Sequence, residues 1–442
     1  MFFNLIYGLG LLLLSPMVIY RMLRHGRYLE GWRDKLWGVS EEWASEIRGD
    51  ASELIWCHAV SVGEVQLLPE LIRRIRGERP DTAIVVSCGT DSGMTLARRH
   101  FGDSVMFCPL DFTWSVRRTL ESLRPDQLIL MELELWPNLI RLARQSGCRV
   151  NVVNGRLSQK SCDGYVKAGR IIRPTFAGLN SVGCQDSSSA NAFVRCGVDP
   201  DKVFLTGSLK FDNAPHCRDT PEVTERVNWS GAEPWHRIWC FGSTQVGEEL
   251  MAIRTFDKLR EEHPDLRLIL APRHAERFDA VAKQIQETGH RVIRRSDDDS
   301  QYADVWDNDE IILVDTLGEL RAWWGVAEIA TVGGSFGNRG GQNMIEPAGY
   351  GCAVSFGPNT TNFASIANEL VAQRAAIRVA DGHELTAFVR RCLDDPPACD
   401  RLGQAARAVV HAHRGAHDKT MQMLREVPSV SLPPTVETRR AA

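Results

Sequence analysis

Short apolar runs alternate with helix-like segments along most of this chain, and no other feature restricts its fold as strongly. The first series opens at residue 53 with ELIWCHAV, continues through EVQLLPELIRRIRG and closes with VFLTGSL. A second series opens with RIWCFGS and continues through LRLILAP, IILVDT, EIATVGG and CAVSFGP. Repeated strand–helix–strand units are typical of parallel sheets that helices cover on both faces. The pattern therefore predicts an α/β protein with two Rossmann-like domains.

A segment with three prolines separates the two series. This segment, KFDNAPHCRDTPEVTERVNWSGAEPWH, also has little apolar periodicity, which is typical of a connection between domains. We predict an N-terminal domain at 53–215, a linker at 216–235 and a C-terminal domain at 236–426. A tail at 427–442 completes the predicted organisation.

The N-terminal segment differs from the rest of the chain because residues 2–20 contain no charge. A run of this length is about long enough to cross the ~30 Å hydrocarbon core of a bilayer. Five lysine and arginine residues follow within 21–35, and such a flank favours the cytoplasmic side. We predict a membrane anchor at 1–21 and a basic juxtamembrane segment at 22–52.

An alternative for this segment is a helix that lies in the bilayer surface without crossing it. This alternative stays open because the apolar run is interrupted by Asn4, Ser15 and Pro16.

Composition excludes some classes of function. The net charge of −4 and the isoelectric point near 6.3 argue against a general nucleic-acid-binding protein. The twelve cysteines are scattered and lie mostly in apolar runs. We expect reduced, partly buried thiols, with no disulfide and no zinc site.

Four loops follow strands of the second series, where ligands of doubly wound sheets bind. They read GSTQVGEE, APRHAERF, DTLGELR and GGSFGNRGGQNMIEPAG. Glycines let the backbone approach a ligand closely, and free N–H groups bind phosphate. Arg273 can pair with an anion, and Glu346 can accept hydrogen bonds from a ribose. Each loop alone is compatible with a tight turn, but the four together favour a nucleotide site.

One loop of the first series has a similar position. In HAVSVGEV the strand ends at Val60 and Glu64 opens the next helix. A carboxylate at this position suits a general base, and it suits a capping partner of the helix equally well. Neither a G-x-G-x-x-G turn nor a P-loop is present, so the common dinucleotide and P-loop classes are not favoured.

The motifs resemble, in order, those of the Kdo transferases of lipopolysaccharide synthesis. The resemblance rests on HAVSVGEV, ELELWPNLI, VNGRLS, TGSLKFD, GSTQVGEE, APRHAERF, VDTLGELR and VGGSFGNRGGQNMIEPAGYG, and it extends to about residue 415. It implies a GT-B fold, in which two Rossmann-like domains with parallel sheets face a central cleft, preceded by the membrane-anchor helix. It also implies an inner-membrane location, with both domains on the cytoplasmic side.

The activity that this resemblance implies is the inverting transfer of Kdo (3-deoxy-manno-octulosonic acid). The donor is CMP-Kdo and the acceptor is a lipid A precursor. No metal and no other cofactor is implied.

The resemblance further implies roles for individual residues. Glu64 matches the general base. The implied donor side consists of Arg273, His274, Ser243, Thr244, Leu317, Gly318, Glu319, Gly334, Arg339, Gly340, Gly341, Asn343 and Glu346. The implied acceptor side consists of Ser61, Glu132 and Lys210.

This sequence departs from the usual family pattern at Thr95, Leu133, Gln245, Val246 and Gln342. Two other functions therefore stay open. One is a GT-B transferase that uses another sugar nucleotide, and the other is a catalytically weak, membrane-tethered protein that binds nucleotide sugars. The presence of Glu64 favours an enzyme.

Overall fold

The computed structural model describes residues 2–25, 30–297 and 306–426. This part of the chain divides into two compact units. The first contains the described residues up to Asn213 together with those from Gly415 onward, and the second is Ala214–Arg414. The tail predicted at 427–442 lies outside the described residues.

The first unit is built on a sheet that has seven strands within the described residues, and all neighbouring strands are parallel. The strands are β1 (Glu53–Ala59), β2 (Thr82–Cys88), β3 (Val105–Phe107), β4 (Gln127–Met131), β5 (Arg149–Gly155), β6 (Ser181–Cys184) and β7 (Val203–Leu205). They lie in the order β3-β2-β1-β4-β5-β6-β7. Nearly every residue of the central strands is buried, as a sheet covered on both faces requires.

Helices come before, between and after the strands of this sheet. They are α1 (Phe2–His25), α2 (Trp32–Trp37), α3 (Glu41–Arg48), α4 (Val62–Val65), α5 (Leu68–Glu78), α6 (Asp91–Phe101), α7 (Thr113–Leu123), α8 (Pro137–Gln145), α9 (Gln159–Ala168), α10 (Arg173–Ala177), α11 (Ser187–Cys196) and α12 (Leu209–Asp212). In α5 the buried residues Leu68, Leu71, Ile72 and Ile75 follow the spacing of one helix face. This face packs into the core formed with β1 and β2.

The second unit has a parallel sheet of the same kind, again with seven strands within the described residues. The strands are β8 (Arg237–Thr244), β9 (Leu266–Pro272), β10 (Arg291–Arg294), β11 (Glu310–Leu313), β12 (Ile329–Val332), β13 (Ala353–Phe356) and β14 (Ala376–Arg378). Their order is β10-β11-β9-β8-β12-β13-β14. The prediction of two Rossmann-like domains with parallel sheets is confirmed.

The helices of the second unit come before, between and after these strands. They are α13 (Pro221–Ser230), α14 (Glu248–Leu259), α15 (Phe278–Glu287), α16 (Leu320–Val326), α17 (Ile345–Tyr350), α18 (Ala364–Ala372), α19 (Gly382–Asp394) and α20 (Pro396–Ala412). Short 3₁₀ turns occur at Gly169–Ile171 and Pro200–Lys202 in the first unit, and at Ala275–Arg277 and Thr361–Phe363 in the second.

The boundaries between the units differ from those that the sequence predicts. Much of the predicted linker forms α13, which Thr220 caps and which belongs to the second unit. At the other end, α21 (Ala416–Glu426) returns to the first unit. Its apolar residues pack in the first unit's core, and Asp212 accepts hydrogen bonds from the backbone N–H groups of Gly415 and His417 at 2.7 and 2.6 Å.

The N-terminal segment is helical, and its first turns contact the first unit. The Asn4 side chain donates to Thr113 Oγ1 at 2.7 Å and accepts from the Thr113 N–H at 3.1 Å. The Tyr7 ring packs edge-on against Phe112. Polar contacts within the protein therefore account for the presence of Asn4 in the apolar run.

In the described residues, no helix combines the length and the apolar character that crossing a membrane requires. The anchor predicted at 1–21 stays a prediction. The twelve cysteines are all free and ten of them are buried, so the expectation that most of the thiols are buried is confirmed.

Candidate functional site

Several candidate residues of each unit lie at the point where the order of the strands in its sheet reverses. Strand order reverses between β1 and β4 in the first sheet and between β8 and β12 in the second. Ligands of open parallel sheets bind beyond the carboxyl ends of the strands at such a switch point. Glu64 follows β1 and Glu132 follows β4, whereas Thr244 ends β8 and Gly334 follows β12.

Glu64 is buried at the start of α4, with 8% of its surface exposed. Its Oε1 accepts from the exposed Ser61 hydroxyl at 2.7 Å, and its Oε2 accepts from the Val60 N–H at 2.9 Å. Burial raises the pKa of Glu64, while these hydrogen bonds oppose the rise. The carboxylate therefore caps the turn, and its environment also favours proton uptake more than that of an exposed glutamate does.

Glu132 and Lys210 form an ion pair beside this loop, with Lys210 Nζ 3.0 Å from Glu132 Oε1. The backbone of Glu132 has φ +53°, and that of Asn154 at the end of β5 has φ +58°. Residues other than glycine rarely adopt this conformation, and it is concentrated at functional sites. The Asn154 side chain accepts from the Leu209 N–H at 3.0 Å, which holds the turn that carries Lys210 against the end of β5.

A third carboxylate, that of Glu134, lies near the other two. Its Oε2 accepts from Trp136 Nε1 at 3.1 Å and lies 4.0 Å from Nε2 of the buried His58. Burial raises the pKa of Glu134 to about 7, and the charge of Glu64 adds to the rise. Burial also lowers the pKa of His58 to about 4, so that this imidazole is neutral at neutral pH. Both residues lie in motifs that were recognised from the sequence, but no role was predicted for either.

In the second unit, the N–H groups at the start of the glycine-rich loop are directed at a carboxylate of the protein itself. Glu248 Oε2 accepts from the Gly334 N–H at 2.8 Å, and Oε1 accepts from the N–H groups of Ser335 and Phe336 at 3.2 Å each. These N–H groups are therefore not available to a phosphate. The assignment of Gly334 to the donor side stays a prediction, and it cannot rest on this N–H group.

Ser243 and Thr244 end β8 in different environments. Ser243 is half-buried with φ +57°. Thr244 is fully buried and its hydroxyl donates to Glu249 Oε1 at 2.6 Å. Arg277 pairs with both oxygens of Glu249, at 2.7 and 2.9 Å. The Thr244 side chain therefore has a role inside the unit, and Arg277, which sequence reasoning did not single out, closes the same network.

The turn at 316–319 presents its tip to solvent. Leu317 is 68% exposed, and Gly318 has φ +89°. The Glu319 carboxylate accepts from Arg295 Nε at 2.9 Å and lies 3.3 Å from an Arg226 nitrogen. Leu317 and Gly318 are free to contact a ligand, whereas the Glu319 side chain anchors the turn.

Glu346 lies at the start of α17 with cationic residues around it. Asn343 Nδ2 donates to Glu346 Oε1 at 3.2 Å. Burial raises the pKa of Glu346, and the positive charges of Arg321 and Arg273 oppose this rise. Arg273 and Arg321 are both exposed. The motif that contains Arg321 was recognised from the sequence, but the arginine itself was not.

The remaining predicted donor residues lie on exposed or tightly held backbone. His274 and Arg339 are exposed. Gly340 and Gly341 have φ +82° and +78°. The Gly340 carbonyl accepts from the Asn362 N–H at 2.8 Å, and a Cβ on Gly340 would lie 2.5 Å from Thr361 Oγ1. Contacts with the turn at 359–362 therefore require these two glycines.

No cluster of three or more metal-binding side chains occurs in residues 2–25, 30–297 and 306–426.

Proteins of similar sequence indicate the family of this chain. Residues 30–213 match the family of 3-deoxy-D-manno-octulosonic-acid transferases (kdotransferases). The chain is 32% identical over 438 residues to the 3-deoxy-D-manno-octulosonic acid transferase of Bordetella pertussis, which covers 95% of this chain and 98% of that protein. It is 31% identical over 375 residues to the transferase of the same name from Haemophilus influenzae, with coverage of 84% and 86%.

Among solved structures, the UDP-GlcNAc 2-epimerase from Neisseria meningitidis superimposes with a TM-score of 0.58 at 11% identity, over 84% of this chain and 99% of that one. This likeness shows the fold alone. The relatives in sequence show more, and the chain belongs to the 3-deoxy-D-manno-octulosonic acid transferase family of glycosyltransferases.

Proposed function

We propose that this protein transfers Kdo from CMP-Kdo onto a lipid A precursor, with inversion at the anomeric carbon and without a metal cofactor. Membership of the family establishes a Kdo glycosyltransferase. The nucleotide of the donor, the lipid acceptor and the stereochemistry are the parts that we add.

The observation that carries the proposal is the environment of Glu64. Its carboxylate is buried, is held at both oxygens, and lies at the switch point of the first sheet. A general base needs a fixed orientation and a pKa closer to the working pH than that of an exposed glutamate. The burial of Glu64 acts in this direction.

In the proposed reaction, the acceptor oxygen forms a bond to the anomeric carbon of Kdo. The bond from that carbon to the phosphate oxygen of CMP breaks, and its electron pair leaves with CMP. Glu64 receives the proton of the acceptor hydroxyl, which contributes roughly 10²- to 10⁴-fold to the rate. Attack on the face opposite the leaving group gives inversion.

We assign stabilisation of the leaving group to the second unit. Negative charge grows on the CMP phosphate as the glycosidic bond breaks, and cationic side chains stabilise such charge. Arg273 and Arg321 are exposed and lie within electrostatic reach of Glu346. We propose that Glu346 binds the ribose hydroxyls of CMP and that the exposed tip at Leu317 and Gly318 contacts its cytosine base.

We also propose that α1 attaches the protein to the inner membrane, with the two units on the cytoplasmic side. The uncharged run and the basic flank support this location. Leu5, Leu9, Leu12 and Leu13 on α1 are 61–72% exposed. Apolar side chains on a helix surface are more stable in lipid than in water, and a lipid acceptor is found in the same membrane.

The test is a turnover assay with CMP-Kdo and a tetraacylated lipid A precursor in the presence of EDTA, with the product mass as the readout. Addition of the mass of Kdo is the expected result, and its absence in the wild-type protein would refute the proposed reaction. Binding of CMP compared with UDP and ADP, on the same preparation, tests the transferase that uses another sugar nucleotide. Tight CMP binding without turnover would instead favour the nucleotide-sugar-binding protein.

A further inference from the structure

The glycine-rich loop after β12 surrounds an anion that the chain supplies itself. Three consecutive N–H groups, those of Gly334, Ser335 and Phe336, donate to the Glu248 carboxylate at 2.8, 3.2 and 3.2 Å. A fourth donor, the Gln245 N–H, approaches Oε2 at 2.8 Å. Successive backbone N–H groups that converge in this way form an anion-binding nest.

The glycine pair at the start of the loop is required by this carboxylate. A Cβ on Gly333 would lie 2.7 Å from Glu248 Oε2 and 2.7 Å from the Ser243 carbonyl oxygen, so that no side chain fits there. Gly334 has φ +67°, a conformation in which glycine carries no steric penalty. The GGSF segment supplies the N–H groups and the VGEE segment supplies the carboxylate, so the two segments together form the anion-binding nest and its anion.

The Glu248 carboxylate connects two loops that follow neighbouring strands. Gln245 belongs to the loop after β8, whereas Gly334 belongs to the loop after β12, and these two strands pair in the sheet. The Gly334 carbonyl oxygen in turn accepts from the Gly341 N–H at 2.8 Å. A displacement of the Glu248 carboxylate would therefore move Gly334 and, through this hydrogen bond, the segment that leads to Asn343 and Glu346.

The surroundings of Glu248 partly offset the cost of burying a negative charge. Glu248 is 3% exposed and is the first residue of α14, where the positive end of the helix dipole favours a carboxylate. Burial raises the pKa of Glu248, while the N–H groups of Gly334, Gln245 and Phe336 oppose that rise.

We propose that Glu248 is a positioning residue for the donor nucleotide, which acts as a built-in anion that fixes the glycine-rich loop. The inference deepens the proposed function, on which it rests for the identity of the donor. It has two consequences. The nest of residues 334–336 is closed to the donor phosphate, and the shape of the segment from Gly340 to Glu346 depends on a negative charge at position 248.

The test is chemical rescue of Glu248→Ala. The truncation empties the nest, and formate is a carboxylate small enough to fill it. We expect the donor KM of the variant to rise by about 10- to 100-fold, with a smaller change in kcat, because small displacements of positioning groups have effects of this size. Formate should restore the donor KM of the variant and leave the wild type unchanged.

Two further variants sharpen the result. In Glu248→Gln, the amide nitrogen faces N–H donors, so we expect a raised KM that formate does not restore. Glu384 is a matched control, since it also lies in the first turn of a helix and its exposed carboxylate accepts from the Ala380 N–H at 2.7 Å. Glu384→Ala should leave the donor KM unchanged.

A second measurement does not depend on turnover. Formate should raise the melting temperature of Glu248→Ala more than that of the wild type, even if the true donor is not CMP-Kdo. If formate changes neither the melting temperature nor the donor KM of the alanine variant, the inference is wrong. An unchanged donor KM in Glu248→Ala would also overturn it, because a plain partner of the helix dipole has no effect on the loop. Failure of the wild type to use CMP-Kdo, together with a formate-dependent rise in melting temperature, would refute the proposed function and leave this inference standing.

Discussion

The Nε2 atom of His58 lies 4.0 Å from Oε2 of Glu134, and no hydrogen-bond partner is found for this nitrogen in the part of the chain that the structure describes. The other ring nitrogen, Nδ1, lies 2.8 Å from the Ser87 hydroxyl, which accepts from Trp56 Nε1 at 2.7 Å. Nδ1 also lies 3.3 Å from the Ser87 carbonyl oxygen, and burial lowers the pKa of His58 to about 4, so that the imidazole is neutral at neutral pH. A buried neutral histidine, rather than a cation, thus faces a carboxyl group that titrates near neutral pH.

The first prediction is a pH dependence of transfer that is caused by Glu134. Its pKa is raised to about 7, so the carboxyl is neutral below this pH and charged above it. The added charge raises the proton affinity of the neighbouring Glu64 and makes it a stronger base. We expect kcat to rise by about 3- to 10-fold as pH increases through about 7.

Glu134→Gln imitates the protonated form, so it should match the wild type below this pH and lack the rise above it. Glu134→Asp, which keeps the charge, should keep a rise. The other titratable groups within reach of Glu134 are His58, Glu64, Glu132, Cys108 and Tyr165. A Gln variant that is slower by one constant factor at all pH values would show that Glu134 acts only through its hydrogen bond to Trp136.

The second prediction concerns stability. Because the pKa of Glu134 is higher in the folded protein than its ordinary value of 4.5, the contribution of this group to stability is present below about pH 4 and is lost as pH rises through 7. The loss amounts to about 3 kcal/mol at most, since one pKa unit corresponds to about 1.4 kcal/mol. Glu134→Gln does not titrate, so its melting temperature should exceed that of the wild type more at about pH 8.5 than at about pH 5. An equal difference at both pH values would contradict the prediction.

The third prediction is that Glu64→Gln loses transfer but keeps its affinity for CMP. The amide can still accept from Ser61 or Val60, but it cannot take up the acceptor proton. We expect kcat to fall by roughly 10²- to 10⁴-fold with a native melting profile. Transfer rate and CMP affinity should be measured on the same purified variant. Turnover close to that of the wild type would remove Glu64 from the mechanism.

The fourth prediction separates binding from chemistry in the second unit. A contact with the ribose exists in the ground state and in the transition state alike, so Glu346→Ala should raise the donor KM more than it lowers kcat. Arg321→Ala should lower kcat as well, because charge on the phosphate grows during the reaction. Initial rates at varied CMP-Kdo concentration give both values. A collapsed kcat with an unchanged KM in Glu346→Ala would show that its assignment to the ribose is wrong.

The fifth prediction concerns the N-terminal segment. A protein without residues 1–21 should separate from membranes, because the uncharged run and the exposed leucines of α1 are removed. Sedimentation with vesicles in high salt measures this release. If the shortened protein still sediments, another surface of the protein binds the membrane. The loss of the contacts of Asn4 with Thr113 should also lower the melting temperature slightly.

The repeated apolar runs were sufficient to predict the two parallel sheets, because strands buried on both faces leave a strong local pattern. The position of Glu64 after β1 was also predictable, since the loops at carboxyl ends of strands follow from the same pattern. Contacts over long sequence distances were not. Glu248 and Gly334 are 86 residues apart, and nothing in the glycine-rich loop itself indicates that its N–H groups already have an acceptor.

Two other findings could not be read from local pattern. The amphipathic pattern of α21 is the same whichever unit it packs against, so the sequence placed it with the domain that precedes it. Glu132 and Glu134 also have different surroundings. Glu132 forms an ion pair with Lys210, whereas burial raises the pKa of Glu134. Their spacing in ELELWPN indicates neither.

The position of α21 also affects how the protein is made. Met421, Met423 and Leu424 fill part of the core beside β1 and α5, and they are among the last described residues to leave the ribosome. The whole of the second unit is synthesised first, at about 5–20 residues per second. During that interval the first unit exposes the apolar surface that α21 later covers. A nascent chain, or a chain truncated before Ala416, is therefore a natural target for chaperones and proteases.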